Sequence, residues 1–174
     1  EASHRRLTLY YLASGVDGVA IGVHTTQFEI RDPRFNYYGR VLEITANELA
    51  RSGKANSLIK VAGLCGSQEQ ALEEADIARS LRYDLGLLSM GGLNHLSECE
   101  LLERTRRVAE IIPVFGFYLQ PLVGGRILSY DFWKEFCNIP GVHAIKTAPF
   151  NRYHTLDVVR AIAHSHRGPE IALY

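Results

Sequence analysis

Strand-length runs of apolar and β-branched residues recur along this chain at an almost constant interval, and that recurrence limits the architectures open to it. The runs are Val16–Val23, Leu58–Cys65, Leu85–Met90, Ile112–Tyr118, Val142–Thr147 and Glu170–Tyr174. From the second run onward the start-to-start steps are 27, 27, 30 and 28 residues. The first step, of 42 residues, leaves room for a longer loop after the first strand. Continuous apolar stretches such as Ile112-Pro113-Val114-Phe115-Gly116-Phe117-Tyr118 suit strands covered on both faces, as in parallel sheets.

Amphipathic helices separate the runs. Ser67 to Tyr83 places Ala71, Leu72, Ala75, Ile77, Ala78 and Leu81 at helical spacing with acids between. Ser97 and Glu100 form a capping-box signature opening a helix over Ser97–Ile111, Gly141 follows a helix over Ser129–Ile139, and Thr155–His164 is a further helix. Strict alternation of strand and helix means parallel strands with helical crossovers. An open doubly wound sheet would advertise a Gly-rich phosphate turn, and neither Gly-x-Gly-x-x-Gly nor a Walker motif occurs. Uniform repeats near thirty residues favour a closed (β/α)8 TIM barrel, which needs eight strands. Six are counted, so the expected fold is a single TIM-barrel domain over residues 1–174 that lacks one strand at each end. The sequence opens at Glu1, within a helical pattern and without an initiator Met, as an internal stretch of a longer protein would.

The 174 residues carry 19 Lys plus Arg against 19 Asp plus Glu, so no basic excess points to nucleic acid or to an anionic membrane. The apolar runs fall short of the ~20 residues a spanning helix needs. Cys65, Cys99 and Cys137 are odd in number and widely spaced, which is neither a disulfide framework nor a zinc ribbon and fits the reducing cytoplasm.

In a barrel, chemistry gathers where strands end. Only four lysines stand against fifteen arginines, and of Lys54, Lys60, Lys134 and Lys146 only Lys146 falls at the C-terminal end of a strand. An amine desolvated in a barrel mouth can attack a carbonyl and form a Schiff base; the plainer reading is a lysine that snorkels to solvent. Tyr118 ends the preceding strand, where a phenol could shuttle protons or simply pack under a loop. Thr25 and Thr26 offer hydroxyls and backbone N–H groups to a carboxylate, or serve as turn residues. Arg126, in the loop after Tyr118, could clamp an anion. His24 and His95 lie beyond strand ends and suggest a rival, a divalent-metal site, although no His-Glu-x-x-His spacing supports it.

Taken together, these residues resemble the dihydrodipicolinate synthase/N-acetylneuraminate lyase family of class I aldolases. The family's Gly-Thr-Thr-Gly-Glu motif is matched by His24-Thr25-Thr26-Gln27-Phe28-Glu29, its strand-closing Tyr by Tyr118, and its Schiff-base lysine by Lys146 in Ala144-Ile145-Lys146, 28 residues beyond. The segments Leu119–Arg126 and Ala148–Tyr153 look like an uncharacterised branch of that family. The chain departs from the pattern where His24 and Gln27 replace two glycines. It departs again where Ser89-Met90-Gly91-Gly92 replaces a Thr-Pro-Tyr-Tyr-like run, which argues against the synthase reaction itself.

The resemblance implies a carbon–carbon lyase or aldolase acting on pyruvate or a related 2-oxo acid, with an aldehyde as a second partner. Lys146 would form the imine, Tyr118 would move protons, Thr25 and Thr26 would hold the carboxylate, and Arg126 would face the second substrate. No cofactor or metal beyond the covalent imine is expected, and the resemblance implies a homo-oligomer, a dimer or tetramer. The alternatives are a metal-dependent barrel aldolase or isomerase using His24 and His95, and a barrel that binds a 2-oxo acid without turnover.

Overall fold

The computed structural model describes residues 1–23, 25–54 and 57–174, and the side chains of residues 25–27 lie outside that description. Its elements are α1 (Ala2–Ala13), β1 (Gly18–Ile21), a 3-10 turn (Thr25–Arg31), α2 (Tyr38–Arg51), β2 (Ile59–Leu64), α3 (Gln68–Ser80), β3 (Leu85–Ser89), α4 (Glu98–Ala109), β4 (Val114–Leu119), a second 3-10 turn (Pro121–Val123), α5 (Tyr130–Asn138), β5 (Val142–Ala148), α6 (Arg152–Ala163), a third 3-10 turn (Gly168–Glu170) and β6 (Ala172–Leu173). All six described strands run parallel in the order β1-β2-β3-β4-β5-β6. Sequential parallel order with a helix in every crossover is the arrangement of a TIM barrel, here with six strands and an inner face left open. Each strand falls within a residue or two of its sequence-derived run, except that β6 is only Ala172–Leu173.

The capping box of α4 is present, with the Ser97 hydroxyl accepting from the Glu100 N–H and the Glu100 carboxylate accepting from the Ser97 N–H. Helix α2 packs Tyr38, Val41, Leu42, Ile44 and Leu49 inward, and the long step after β1 resolves into this helix and the 3-10 turn before it.

Strand alternation sorts the core into two layers. Residues facing the helices, among them Leu64, Leu88, Val114, Tyr118 and Ile145, pack with Trp133, Phe132 and Phe136 of α5 and with Leu101 and Val108 of α4. Residues facing the barrel axis form a separate cluster of Val23, Val61, Leu87, Phe117 and Leu119. Gly116 lies on the helix side because nothing larger fits there: a Cβ would stand 2.7 Å from the Phe136 ring.

A buried ion pair locks the upper ends of β1 and β2. Arg31, the last residue of the first 3-10 turn, donates from Nε to Glu74 Oε1 at 2.6 Å and from Nη2 to Oε2 at 3.0 Å. Its remaining donors reach the carbonyls of Gly22 and Gly63, both at 2.8 Å. Glu74 in turn accepts from the Cys65 N–H at 2.9 Å and from Gln70 Nε2 at 2.9 Å. Tyr38 lies under the guanidinium, 4.6 Å from ring centroid to Cζ, and donates its hydroxyl to Gly63 O. Four of the five guanidinium N–H groups and both carboxylate oxygens are thereby engaged, which helps a buried pair to offset its desolvation. Removing one partner leaves an uncompensated charge. Glu74→Ala is therefore expected to cost about 3–5 kcal/mol, read as a lowered urea midpoint. A variant within about 1 kcal/mol of the parent would show that the pair contributes little.

Candidate active site

Lys146 sits on the barrel-axis face of β5. Register pairs Phe117 with Lys146 across β4 and β5, and Ser89 with Phe117 across β3 and β4. These three side chains thus form one row across the inner face near the C-terminal ends of three strands. The Lys146 Nζ lies 4.8 Å from the Phe117 ring centroid, a cation–π distance. The other three lysines are elsewhere. Lys54 donates to the Leu12 carbonyl at 3.2 Å, Lys60 occupies the helix-facing side of β2 beside the inward Val61, and Lys134 belongs to α5. Lys146 is also exposed, because the inner face is open, so the desolvation expected from sequence is not met within these six strands.

Tyr118 is not brought to Lys146. It is the residue after Phe117 and so faces the opposite side of the sheet, where its ring packs 4.9 Å from Trp133 and 6.2 Å from His154. It is 1% exposed. Its hydroxyl accepts from the Leu128 N–H at 3.4 Å, and burial pushes the phenol above its ordinary range. The expected proton shuttle meets a simple geometric obstacle: a strand sends neighbouring side chains to opposite faces.

Arg126 likewise turns from the mouth. Its Nη1 donates to the carbonyls of Leu93 at 3.1 Å and Leu96 at 2.7 Å, tying the loop after β4 to the loop after β3. Through Nη1 the guanidinium acts as a staple between these two loops. Thr25 and Thr26 open the 3-10 turn directly after β1, at the C-terminal rim, and their side chains lie outside the description. His24 lies outside the described residues. His95 is exposed in the loop before α4, and among the described residues no group of three or more His, Cys, Asp or Glu is placed to hold a metal ion.

The sequence reading missed two inner-face groups. Ser89, 1% exposed at the end of β3, accepts from the Gly91 N–H at 3.1 Å and retains its own proton to donate. Cys65 follows β2, and burial pushes its thiol up to about 11, so it stays protonated at neutral pH. Both line a cavity of about 230 Å³ with Phe28, Gly91, Leu119 and Gly124. The signal for Ser89 was its parity with Leu85 and Leu87 on the same strand.

With the geometry in hand, the fold places the chain among parallel (β/α)-barrel proteins. Solved structures it is similar to include dihydrodipicolinate synthases. The chloride-inhibited enzyme from Acinetobacter baumannii, complexed with pyruvate, superposes with a TM-score of 0.81 at 20% identity, over 99% of this chain and 56% of that one. The enzymes from Agrobacterium tumefaciens and Oceanobacillus iheyensis give 0.79 at 19% and 0.79 at 17% identity, over 57% and 52% of their own lengths and 99% and 97% of this chain. The chain therefore spans a little over half the length of the structures it matches. No family model matches it, and no curated protein does. The resemblance read from sequence is thus met at the level of fold.

Because the Tyr118 hydroxyl is engaged on the helix side, by the Leu128 N–H and beside Trp133, Tyr118→Phe is expected to lower stability by roughly 0.5–1.5 kcal/mol. Borohydride trapping at Lys146 should stay within about threefold of the parent, whereas a loss of a hundredfold or more would return Tyr118 to the reacting centre.

Proposed function

We propose that this chain carries the imine-forming centre of a class I carbon–carbon lyase or aldolase acting on pyruvate or a related 2-oxo acid. The observation that carries the reading is the placement of Lys146. It is the one lysine of four on the inner face, in a row with Phe117 and Ser89 near the strand ends, on a fold shared with a synthase complexed with pyruvate. Active sites of (β/α) barrels sit at that end of the strands.

The chemistry follows from the amine. The unprotonated Nζ attacks the 2-oxo carbon, a C–N bond forms, and after proton transfer the carbonyl oxygen departs as water, leaving an iminium. In the cleavage direction the iminium accepts the electron pair of the breaking carbon–carbon bond. This gives an enamine while the other fragment leaves as an aldehyde. Protonation of the enamine and hydrolysis return the amine and the 2-oxo acid. The iminium itself is the electron sink, so the step calls on no metal. Proton movement falls to groups on the inner face, where Ser89 supplies the described hydroxyl, and to water. Thr25 and Thr26, at the N-terminus of the 3-10 turn after β1, are assigned to the substrate carboxylate, and the Arg31–Glu74 pair fixes the far end of that turn.

The test is reductive trapping in the full-length natural protein. Borohydride with pyruvate is expected to add one reduced pyruvate to the peptide carrying Lys146, with no adduct in Lys146→Arg and unchanged trapping after chelator treatment. A folded protein that yields no adduct with any 2-oxo acid would overturn the imine reading.

A further inference from the structure

We propose that the substituent accommodated beside the imine, carried by the 2-oxo acid beyond its carbonyl or by the aldehyde, is short, uncharged and apolar, and that it occupies the cavity under the loops after β3 and β4. This inference rests on the imine reading and narrows it to a substrate class.

Location comes first. Phe117 and Leu119 share the inner face of β4, so they stand about 6–7 Å apart along the strand. Lys146 Nζ lies over Phe117, and Leu119 lines the cavity. The cavity is therefore one pleat beyond the amine, toward the rim, where a substituent on the imine carbon chain would extend.

Size comes next. At about 230 Å³ the cavity is smaller than the ~300–1,000 Å³ of sites for drug-sized ligands. Its roof is fixed: Gly92 N–H donates to Gly124 O at 3.0 Å, and a Cβ on Gly91 would stand 3.0 Å from that same oxygen. The two loops are thus closed on each other over glycine backbone, which limits the length a substituent can reach.

Charge decides the class. Among the described residues the lining holds no charged side chain. Its polar side-chain groups are the Ser89 hydroxyl, which accepts from Gly91, and the Cys65 thiol, kept neutral by burial. Nearby charges are committed or face elsewhere. Arg31 and Glu74 satisfy each other. Arg126 is bound to the Leu93 and Leu96 carbonyls. Arg104, whose guanidinium burial lowers to about 10, lies on the helix side with Nη1 against the Met90 sulfur and with Nε and Nη2 buried without a hydrogen-bond partner among the described residues. The amine of Lys146 is itself converted to the imine. A carboxylate or phosphate in this cavity would give up part of its hydration and meet no charged side chain among the described lining residues, which disfavours it. An alkyl group loses nothing of the kind and gains contact with Phe28 and Leu119.

The matched pair 2-oxopentanoate and 2-oxoglutarate isolates the point, since they are similar in size and differ in whether a methyl or a carboxylate ends the chain. In the full-length natural protein, borohydride trapping at Lys146 is expected to run at least tenfold faster with 2-oxopentanoate at equal concentration. Val123→Arg, which puts a cation on an exposed cavity residue, should narrow or reverse that preference. Equal or faster trapping with 2-oxoglutarate in the parent overturns the proposal. Should pyruvate itself fail to trap, the imine reading falls separately. Calorimetric binding of the same two acids then decides the cavity: tighter 2-oxopentanoate supports the apolar assignment, and equal or weaker binding sinks it.

Discussion

The register between β4 and β5 is the constraint on which the site depends. Side chains on a strand alternate, so a slip of one residue would send every inner group outward. Here Phe115, Phe117 and Leu119 face the axis opposite Ala144, Lys146 and Ala148, while Gly116 and Tyr118 face the helices opposite Ile145 and Thr147. An irregularity between Val114 and Phe115 absorbs His143 as an extra residue and sets this phase. Packing enforces it from behind, because Gly116 leaves space for Phe136 and the Tyr118 ring fills a slot against Trp133. Shifting the phase would bury Lys146 among those aromatics and strip the inner face of Phe117. The position of the one candidate nucleophile is thus fixed by the bulk of α5, on the far side of the sheet.

The rim is held by polar contacts of a different kind. Arg31 and Glu74 join the 3-10 turn after β1, the ends of β1 and β2, and helix α3 in a single hydrogen-bonded cluster. Across the mouth, Arg126 joins the loops after β3 and β4. Two arginines therefore position the loops, and neither presents charge to the space between them. Preorganisation of this sort keeps a site in shape while leaving its interior apolar. It explains how a mouth in a chain with fifteen arginines can lack an anion clamp among the described residues.

Much of this was legible in the sequence. The even spacing of apolar runs gave the strand count and parallel order, the capping pair Ser97 and Glu100 marked α4, and the scarcity of lysine singled out Lys146. What stayed hidden was which face each strand-end residue takes. In runs apolar throughout, such as Val114–Leu119, alternation leaves no hydropathy signature, so Tyr118 and Lys146 read equally well as neighbours in one cavity. The bonds from Arg126 to the Leu93 and Leu96 carbonyls stayed hidden because those partners lie some thirty residues earlier and carry no side-chain signal. Ser89 was passed over for the opposite reason, since a lone serine in an apolar run looks like a filler until its row with Phe117 and Lys146 is known.

The central claim is that the reacting carbonyl meets Lys146 on the Phe117 and Leu119 face, with Tyr118 turned away behind the sheet. A crystal structure of the full-length natural protein soaked with pyruvate tests it most directly. The account predicts continuous density from Lys146 Nζ to the C2 atom of pyruvate over the Phe117 ring, with the Tyr118 hydroxyl still against the Leu128 N–H. Pyruvate held by other residues with Lys146 unmodified, or Tyr118 swung into the mouth beside the adduct, would contradict it.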